Sequence, residues 1–116
     1  MSDIHLDSSV LEVLRDVMED EYPLLLQTFL QDSEERLRLL RQTESSVDAQ
    51  AMRLAAHSFK GSCSNMGALL LAGLCKQLEE LARREQMAGA PALLEQIERE
   101  FAIVRILFRA ELQRYT

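Results

Sequence analysis

Apolar residues recur every three or four positions along this sequence, which predicts helices, and no useful stretch shows the alternation typical of a strand. The first helix is predicted to be capped by Asp7 or Ser8 and to end near Asp20. The second has Pro23 in its first turn and keeps its apolar stripe for about five turns, as far as Leu40. A polar stretch from Thr43 then breaks the pattern.

The next two helices meet at a short connection. Asp48 is placed to cap the third helix, which is predicted to end at Asn65 or Met66. Gly67 follows, and glycine is the usual residue just past the end of a helix. A fourth helix is predicted to start near Ala68.

Gly89 and Pro91 mark the last connection, before a helix that is predicted to continue to the end of the chain. Four of the five helices are long enough to pair side by side, and short connections make neighbours antiparallel. The predicted fold class is therefore all-α. We expect an up-and-down antiparallel four-helix bundle with a short extra N-terminal helix, in a single domain over residues 1–116.

Composition excludes several classes of function. A chain of 116 residues has no room for a nucleotide-binding domain beside this bundle. The net charge of −6 argues against a nucleic-acid partner, since binding phosphates needs clustered cations. With neither a secretory segment nor a membrane-spanning run, the chain is predicted to be cytoplasmic, without membrane contact. Cys63 and Cys75 lie on apolar faces and are expected to be reduced, with a disulfide as the alternative.

The third helix separates into an apolar face and a polar face, and its histidine lies on the polar one. At 100° per residue, one side carries Met52, Ala55, Ala56, Phe59, Cys63 and Met66. The other side carries Arg53, His57, Lys60, Gly61 and Ser64. His57 is therefore expected to point away from the core, as a residue presented to a partner would.

This polar face suits phosphoryl chemistry. An exposed neutral imidazole such as that of His57 is a nucleophile that can accept a phosphoryl group. Lys60, one turn on, can neutralise phosphoryl oxygens. Gly61 leaves the approach to the ring clear, although glycine inside a helix costs roughly 1 kcal/mol relative to alanine. Ser64 is small and extends the same open strip.

Each residue also has an ordinary interpretation. A lone exposed histidine or lysine is usually plain surface, and Gly61 could permit close helix packing; it is their combination that favours a function. A metal site is not expected, because Cys63 and Cys75 face inward while His57 faces outward. The sequence contains no glycine-flanked serine elbow, so a Ser-His-Asp hydrolase is not supported. His5 lies near a chain end that is expected to fray and is given no role.

The run from Ala56 to Ala68, AHSFKGSCSNMGA, closely resembles the signature of histidine-containing phosphotransfer (HPt) domains. That signature has a histidine, a hydrophobic residue two positions later, Lys-Gly, small residues, and then a hydrophobic residue with Gly-Ala. The similarity continues to Glu79, and the helix layout on both sides is also similar to the family. It thus covers nearly the whole chain.

The resemblance implies a phosphoryl carrier of a multistep two-component phosphorelay, without kinase activity of its own. His57 would accept the phosphoryl group from the receiver domain of a hybrid sensor kinase and pass it to the aspartate of a response regulator. Lys60 would be the charge partner and Gly61 the clearance residue. The chain would be a free-standing bacterial monomer that binds no cofactor, because Mg²⁺ and the acidic pocket belong to the partner receiver domain.

One departure from the family concerns the docking of that partner. Leu69 and Leu70 stand where family members often carry polar residues. Leu69 is expected to project outward close to the loop beyond His57, either as a tolerated exposed apolar residue or as part of the docking surface, with Leu54 and Leu25 as companions.

Two alternatives remain open at this point. A helical adaptor would bind receiver or kinase domains without carrying phosphate, and its binding would not depend on His57. The dimerisation bundle of a histidine kinase also exposes a helical histidine, but normally with an acidic residue next and a proline one turn later. Ser58 and Gly61 occupy those places here.

Overall fold

The structure, a computed structural model, describes residues 4–115, and every regular element among them is helical. The five helices are α1 (Ser8–Met18), α2 (Tyr22–Ser45), α3 (Ala49–Asn65), α4 (Leu69–Arg83) and α5 (Ala90–Gln113). Helices α2 and α4 each pack against both α3 and α5, which places α3 and α5 diagonally across the bundle. The predicted all-α four-helix bundle with a short N-terminal helix is confirmed.

The core of the bundle is continuous and built from the predicted apolar stripes. Tyr22, Phe59 and Phe108 are its largest fully buried side chains. On α3, the buried residues are Met52, Ala56, Phe59 and Cys63. Burial of this stripe fixes the rotation of α3 and turns its polar face outward.

Two of the predicted caps are present. The Asp7 carboxylate accepts a hydrogen bond from the Ser9 amide at 3.0 Å, and Asp48 accepts one from the Ala51 amide at 3.0 Å. The break predicted from Thr43 onward comes too early, since α2 continues to Ser45. Thr43 is buried, and its hydroxyl donates to the Leu40 carbonyl at 2.8 Å, so its polarity is satisfied inside the helix.

The N-terminal helix buries less than its pattern predicts. Leu11 is buried, whereas the Val17 side chain is 71% exposed, and the helix ends at Met18. The segment before it is held to the bundle, contrary to the expectation that the chain frays around His5. Nδ1 of His5 lies 2.8 Å from a carboxylate oxygen of Glu100, which is almost fully buried.

A tight turn joins α3 to α4 and sets their register. Gly67 has a φ of 79°, a conformation that glycine adopts without steric cost. Its carbonyl accepts the Asp7 amide at 2.8 Å, which fastens the start of α1 to this turn. Because the turn is short, α4 runs back along α3 and brings Glu79 beside His57.

Candidate functional site

His57 lies midway along α3 on the outer surface of the bundle, with its side chain 64% exposed. Nδ1 of the imidazole lies 2.8 Å from Oε2 of Glu79, on α4. An ionised carboxylate can only accept hydrogen bonds, so Nδ1 carries the proton in this contact. The lone pair of the neutral ring is then on Nε2, the nitrogen that Glu79 leaves unoccupied.

Glu79 also binds the lysine of the predicted site. Nζ of Lys60 donates to Oε1 of Glu79 at 2.7 Å, so the two carboxylate oxygens are shared between imidazole and ammonium. Partial burial raises the pKa of Glu79, but the hydrogen bonds from Lys60 and His57 outweigh it and hold the net pKa below its usual value. The carboxylate is therefore ionised at neutral pH, as the tautomer of His57 requires.

The surface beside the ring is open. A Cβ atom built on Gly61 would meet nothing within 4 Å, and Ser64, one turn further, is exposed. The fold itself therefore does not require glycine at position 61. The space that Gly61 leaves is available to a molecule that approaches His57 from outside.

Comparison with known proteins places this site in a family. The family model described as "Hpt domain" matches residues 24–114. The chain is also 66% identical to the protein in the crystal structure of histidine-containing phosphotransfer protein B (HptB) from Pseudomonas aeruginosa PAO1. That match covers 97% of each chain, with a TM-score of 0.95. The chain belongs to the Hpt domain family. A search of curated proteins found no match.

Family membership confirms the resemblance read from the signature around His57. Hpt domains are phosphocarrier modules rather than kinases, so the broad class of function is shown. In residues 4–115, no helix of this Hpt domain is both long and apolar enough to cross a membrane.

A hydrogen bond between α2 and α3 lies on the other side of His57 in this Hpt domain. Nη1 of Arg36, on α2, donates to the hydroxyl of Ser58 at 2.5 Å. Glu79 on α4 and Arg36 on α2 thus hold the middle of α3 from both sides. Both contacts restrict rotation of α3 at the turn that carries the histidine.

The three leucines proposed for docking lie in different surroundings. Leu54 is 54% exposed and Leu69 is 48% exposed, and Leu70, next to Leu69, is exposed as well. Leu25 is half-buried and lines a cleft of about 200 Å³ between α2 and α3, together with Asp32 and Ser62. The structure leaves Leu54 and Leu69 available to a partner, whereas Leu25 mainly supports the core.

The two cysteines face each other inside the α3–α4 interface. Both thiols are free and buried, as expected. A hydrogen bond with Cys75, together with burial, raises the pKa of the Cys63 thiol. A protonated buried thiol is unreactive, so these residues pack the hairpin that carries the site.

Glu79 is the site residue that sequence reasoning missed. The sequence pattern assigns it no chemistry, although the family resemblance extends to this position. Its separation from His57 by 22 residues hides the contact from any local pattern. Only the register of α4 against α3 could have revealed it.

Proposed function

We propose that this protein carries phosphoryl groups between receiver domains, with Nε2 of His57 as the acceptor atom. The observation that carries the proposal is the contact between Nδ1 of His57 and Glu79 on a ring that stays largely exposed. It directs the lone pair of Nε2 away from this chain. A ring held in this way is prepared for attack on a visiting phosphorus atom.

The transfer balances without an acid or base on this chain. Nε2 attacks the phosphorus of the receiver's aspartyl phosphate, a P–N bond forms, and the bond from phosphorus to the aspartate oxygen breaks, which releases the carboxylate. The phosphorylated ring is cationic, and its Nδ1–H stays hydrogen-bonded to the Glu79 carboxylate. Donation to a second receiver reverses the step, with a P–O bond formed as the P–N bond breaks.

Lys60 stabilises the charge on the transferred group. In the present arrangement its ammonium is bound to Glu79, within one helical turn of His57. When a phosphoryl group arrives on Nε2, the flexible lysine side chain can extend to the equatorial oxygens while the imidazole keeps its contact with Glu79. Mg²⁺ and the acidic residues that bind it are supplied by the receiver. This chain needs no cofactor for its part.

Docking places the receiver over the outer face of α3 and α4. Leu54 and Leu69 provide apolar contacts. Gly61 and Ser64 are small and leave space for the receiver beside the imidazole ring. The donor is a receiver domain of a hybrid sensor kinase, and the acceptor is a response regulator.

A labelling experiment tests this function. A receiver phosphorylated with ³²P is mixed with the unchanged protein, with His57→Gln and with His5→Gln, which alters the other histidine of the chain. The label should reach the unchanged protein and His5→Gln, and it should be acid-labile and stable in alkali. His57→Gln should remain folded by circular dichroism and stay unlabelled.

Label on folded His57→Gln would contradict the assignment. A receiver that binds the unchanged protein and His57→Gln equally, and labels neither, would instead favour the adaptor function.

A further inference from the structure

The acidic residues of this chain lie mostly outside the sequence segment that carries the site. The protein has 19 acidic and 13 basic residues, yet no Asp or Glu occurs between Asp48 and Glu79. The same stretch contains three cations, Arg53, Lys60 and Lys76. An acidic protein thus has a locally cationic segment, and that segment comprises all of α3 and most of α4.

These cations lie on the same face of the bundle as His57. Arg53 precedes His57 by four residues on α3, so it lies one turn away on the same side. On α4, Lys76 is exposed and lies one turn before Glu79. Because Glu79 pairs with Lys60, the antiparallel register places Lys76 next to the turn of α3 that contains Ser64.

Of the carboxylates nearest to this face, Glu79 and Glu80 are already paired, whereas Asp48 and Glu85 line a cleft together with Arg53 and Arg83. Glu79 binds Lys60 and His57, and Glu80 pairs with Arg83. Most other acidic residues are on α1, α2 and α5 and in the turn before α2. The exposed ones near the N-terminus are Glu12, Asp16, Glu19, Asp20 and Glu21.

We propose that the outer face of α3 and α4 is an electrostatic docking surface for an acidic protein surface, with Arg53 and Lys76 as steering cations. This inference rests on the proposed function and specifies the partner's chemistry: the receiver presents its acidic pocket to this face. Leu54, next to Arg53, and Leu69, two turns before Lys76, give the surface apolar contacts. Cations beside apolar contacts raise the rate of encounter with an acidic partner more than they change the transfer step.

Charge-reversal variants distinguish an effect on the rate of encounter with the receiver from an effect on the rate of phosphoryl transfer. The variants are Arg53→Glu and Lys76→Glu, with Arg109→Glu as the matched control. Arg109 is exposed on α5, which lies diagonally opposite α3, and its reversal changes the net charge by the same amount. The probe is the ³²P-labelled receiver that labels the unchanged protein fastest in a panel of receivers. Transfer is followed by rapid quench, below and at saturation, at several salt concentrations.

At low salt and below saturation, Arg53→Glu and Lys76→Glu should each slow labelling by roughly three- to tenfold. The difference should shrink as salt rises, and the rate at saturation should stay unchanged. Arg109→Glu should change the rate by less than twofold, a small effect expected for a charge remote from the interface. The steering surface would be overturned if all three reversals slowed labelling equally, or if neither Arg53→Glu nor Lys76→Glu slowed it. In both cases His57 would still be labelled, so the proposed function would stand. Failure of every receiver to label the unchanged protein would overturn the proposed function and this inference with it.

Discussion

At the scale of single residues, one carboxylate organises the site. Glu79 is only 19% exposed and holds both Nδ1 of His57 and Nζ of Lys60. Without it, the imidazole could choose either tautomer and rotate about its side-chain bonds. Glu79 therefore acts as a positioning residue, because it acts on the phosphoryl group through His57 and Lys60.

Two substitutions of Glu79 should distinguish its role in positioning the His57 ring from the effect of its negative charge. Glu79→Ala should slow phosphoryl uptake on the order of tenfold, because the ring loses its fixed tautomer and orientation. Glu79→Gln keeps an oxygen that can accept from Nδ1–H and should recover most of the rate. Uptake is measured in single turnovers, and the tautomer by ¹⁵N NMR of the imidazole. Glu80→Ala, at the neighbouring carboxylate, is the control, and a Glu79→Ala rate equal to the control's would exclude positioning.

Gly61 should show opposite effects on stability and transfer. Gly61→Ala should raise the free energy of unfolding by roughly 0.5–1 kcal/mol, because alanine stabilises a helix interior and its Cβ meets nothing. Gly61→Gln should slow transfer by hindering a partner at His57. Gly73 is the matched control, since it is also helical and equally open. Urea unfolding and transfer rates check both effects, and full activity of Gly61→Gln would contradict the clearance role.

The residues of the site on α3 could be predicted from the sequence, whereas the partner of His57 on α4 could not. The polar strip with His57, Lys60 and Gly61 follows from helical spacing on one element, so the sequence alone was sufficient to predict it. The partner of His57 lies on another helix, and its identity depends on how α4 slides along α3. That register is set by packing and by the turn at Gly67, which no residue pattern encodes directly.

At the scale of elements, the α3–α4 hairpin is the unit that carries the site. Its turn depends on Gly67, whose carbonyl also binds the start of α1. A Cβ atom at this position would lie 3.1 Å from Cβ of Val10 and 3.2 Å from the Asp7 carbonyl oxygen. The turn therefore has neither the backbone freedom nor the space for a side chain.

Gly67→Ala should destabilise the protein by roughly 1–3 kcal/mol, because alanine is strained at this positive φ and crowds α1. The measurement is urea unfolding, with Gly73→Ala as a control of opposite sign. Unchanged or increased stability of Gly67→Ala would contradict the steric description of this turn.

Element boundaries were predicted best where a cap was visible. Asp48 and Gly67 mark the ends of α3 clearly, and both predictions agree with the structure. The end of α2 was placed too early, because Thr43 looks polar in sequence while its hydroxyl bonds to the helix backbone. Val17 is apolar but exposed, because only part of the apolar face of α1 finds a partner on the bundle.

At the scale of the whole molecule, the ring of four helices closes within one chain. The bundle measures 42 × 26 × 20 Å, and its core contains residues from all five helices. A kinase dimerisation bundle would need a second chain to complete its core. A single chain that buries its own core has no such requirement.

The protein should therefore be a monomer in solution. Sedimentation equilibrium should give a mass near 13.2 kDa at all concentrations tested, since no helix lacks a packing partner within residues 4–115. A stable dimer whose dissociation unfolds the chain would contradict this view of the bundle.

The most direct measurement of the central claim locates the phosphoryl group on the imidazole. The protein, labelled with ¹⁵N at histidine, is phosphorylated by a receiver and studied by ³¹P and ¹⁵N NMR at neutral to alkaline pH. We predict phosphorus–nitrogen coupling at Nε2 of His57, with Nδ1 still protonated and hydrogen-bonded to Glu79. Coupling at Nδ1 of His57, or a phosphoryl group on any other residue, would contradict it.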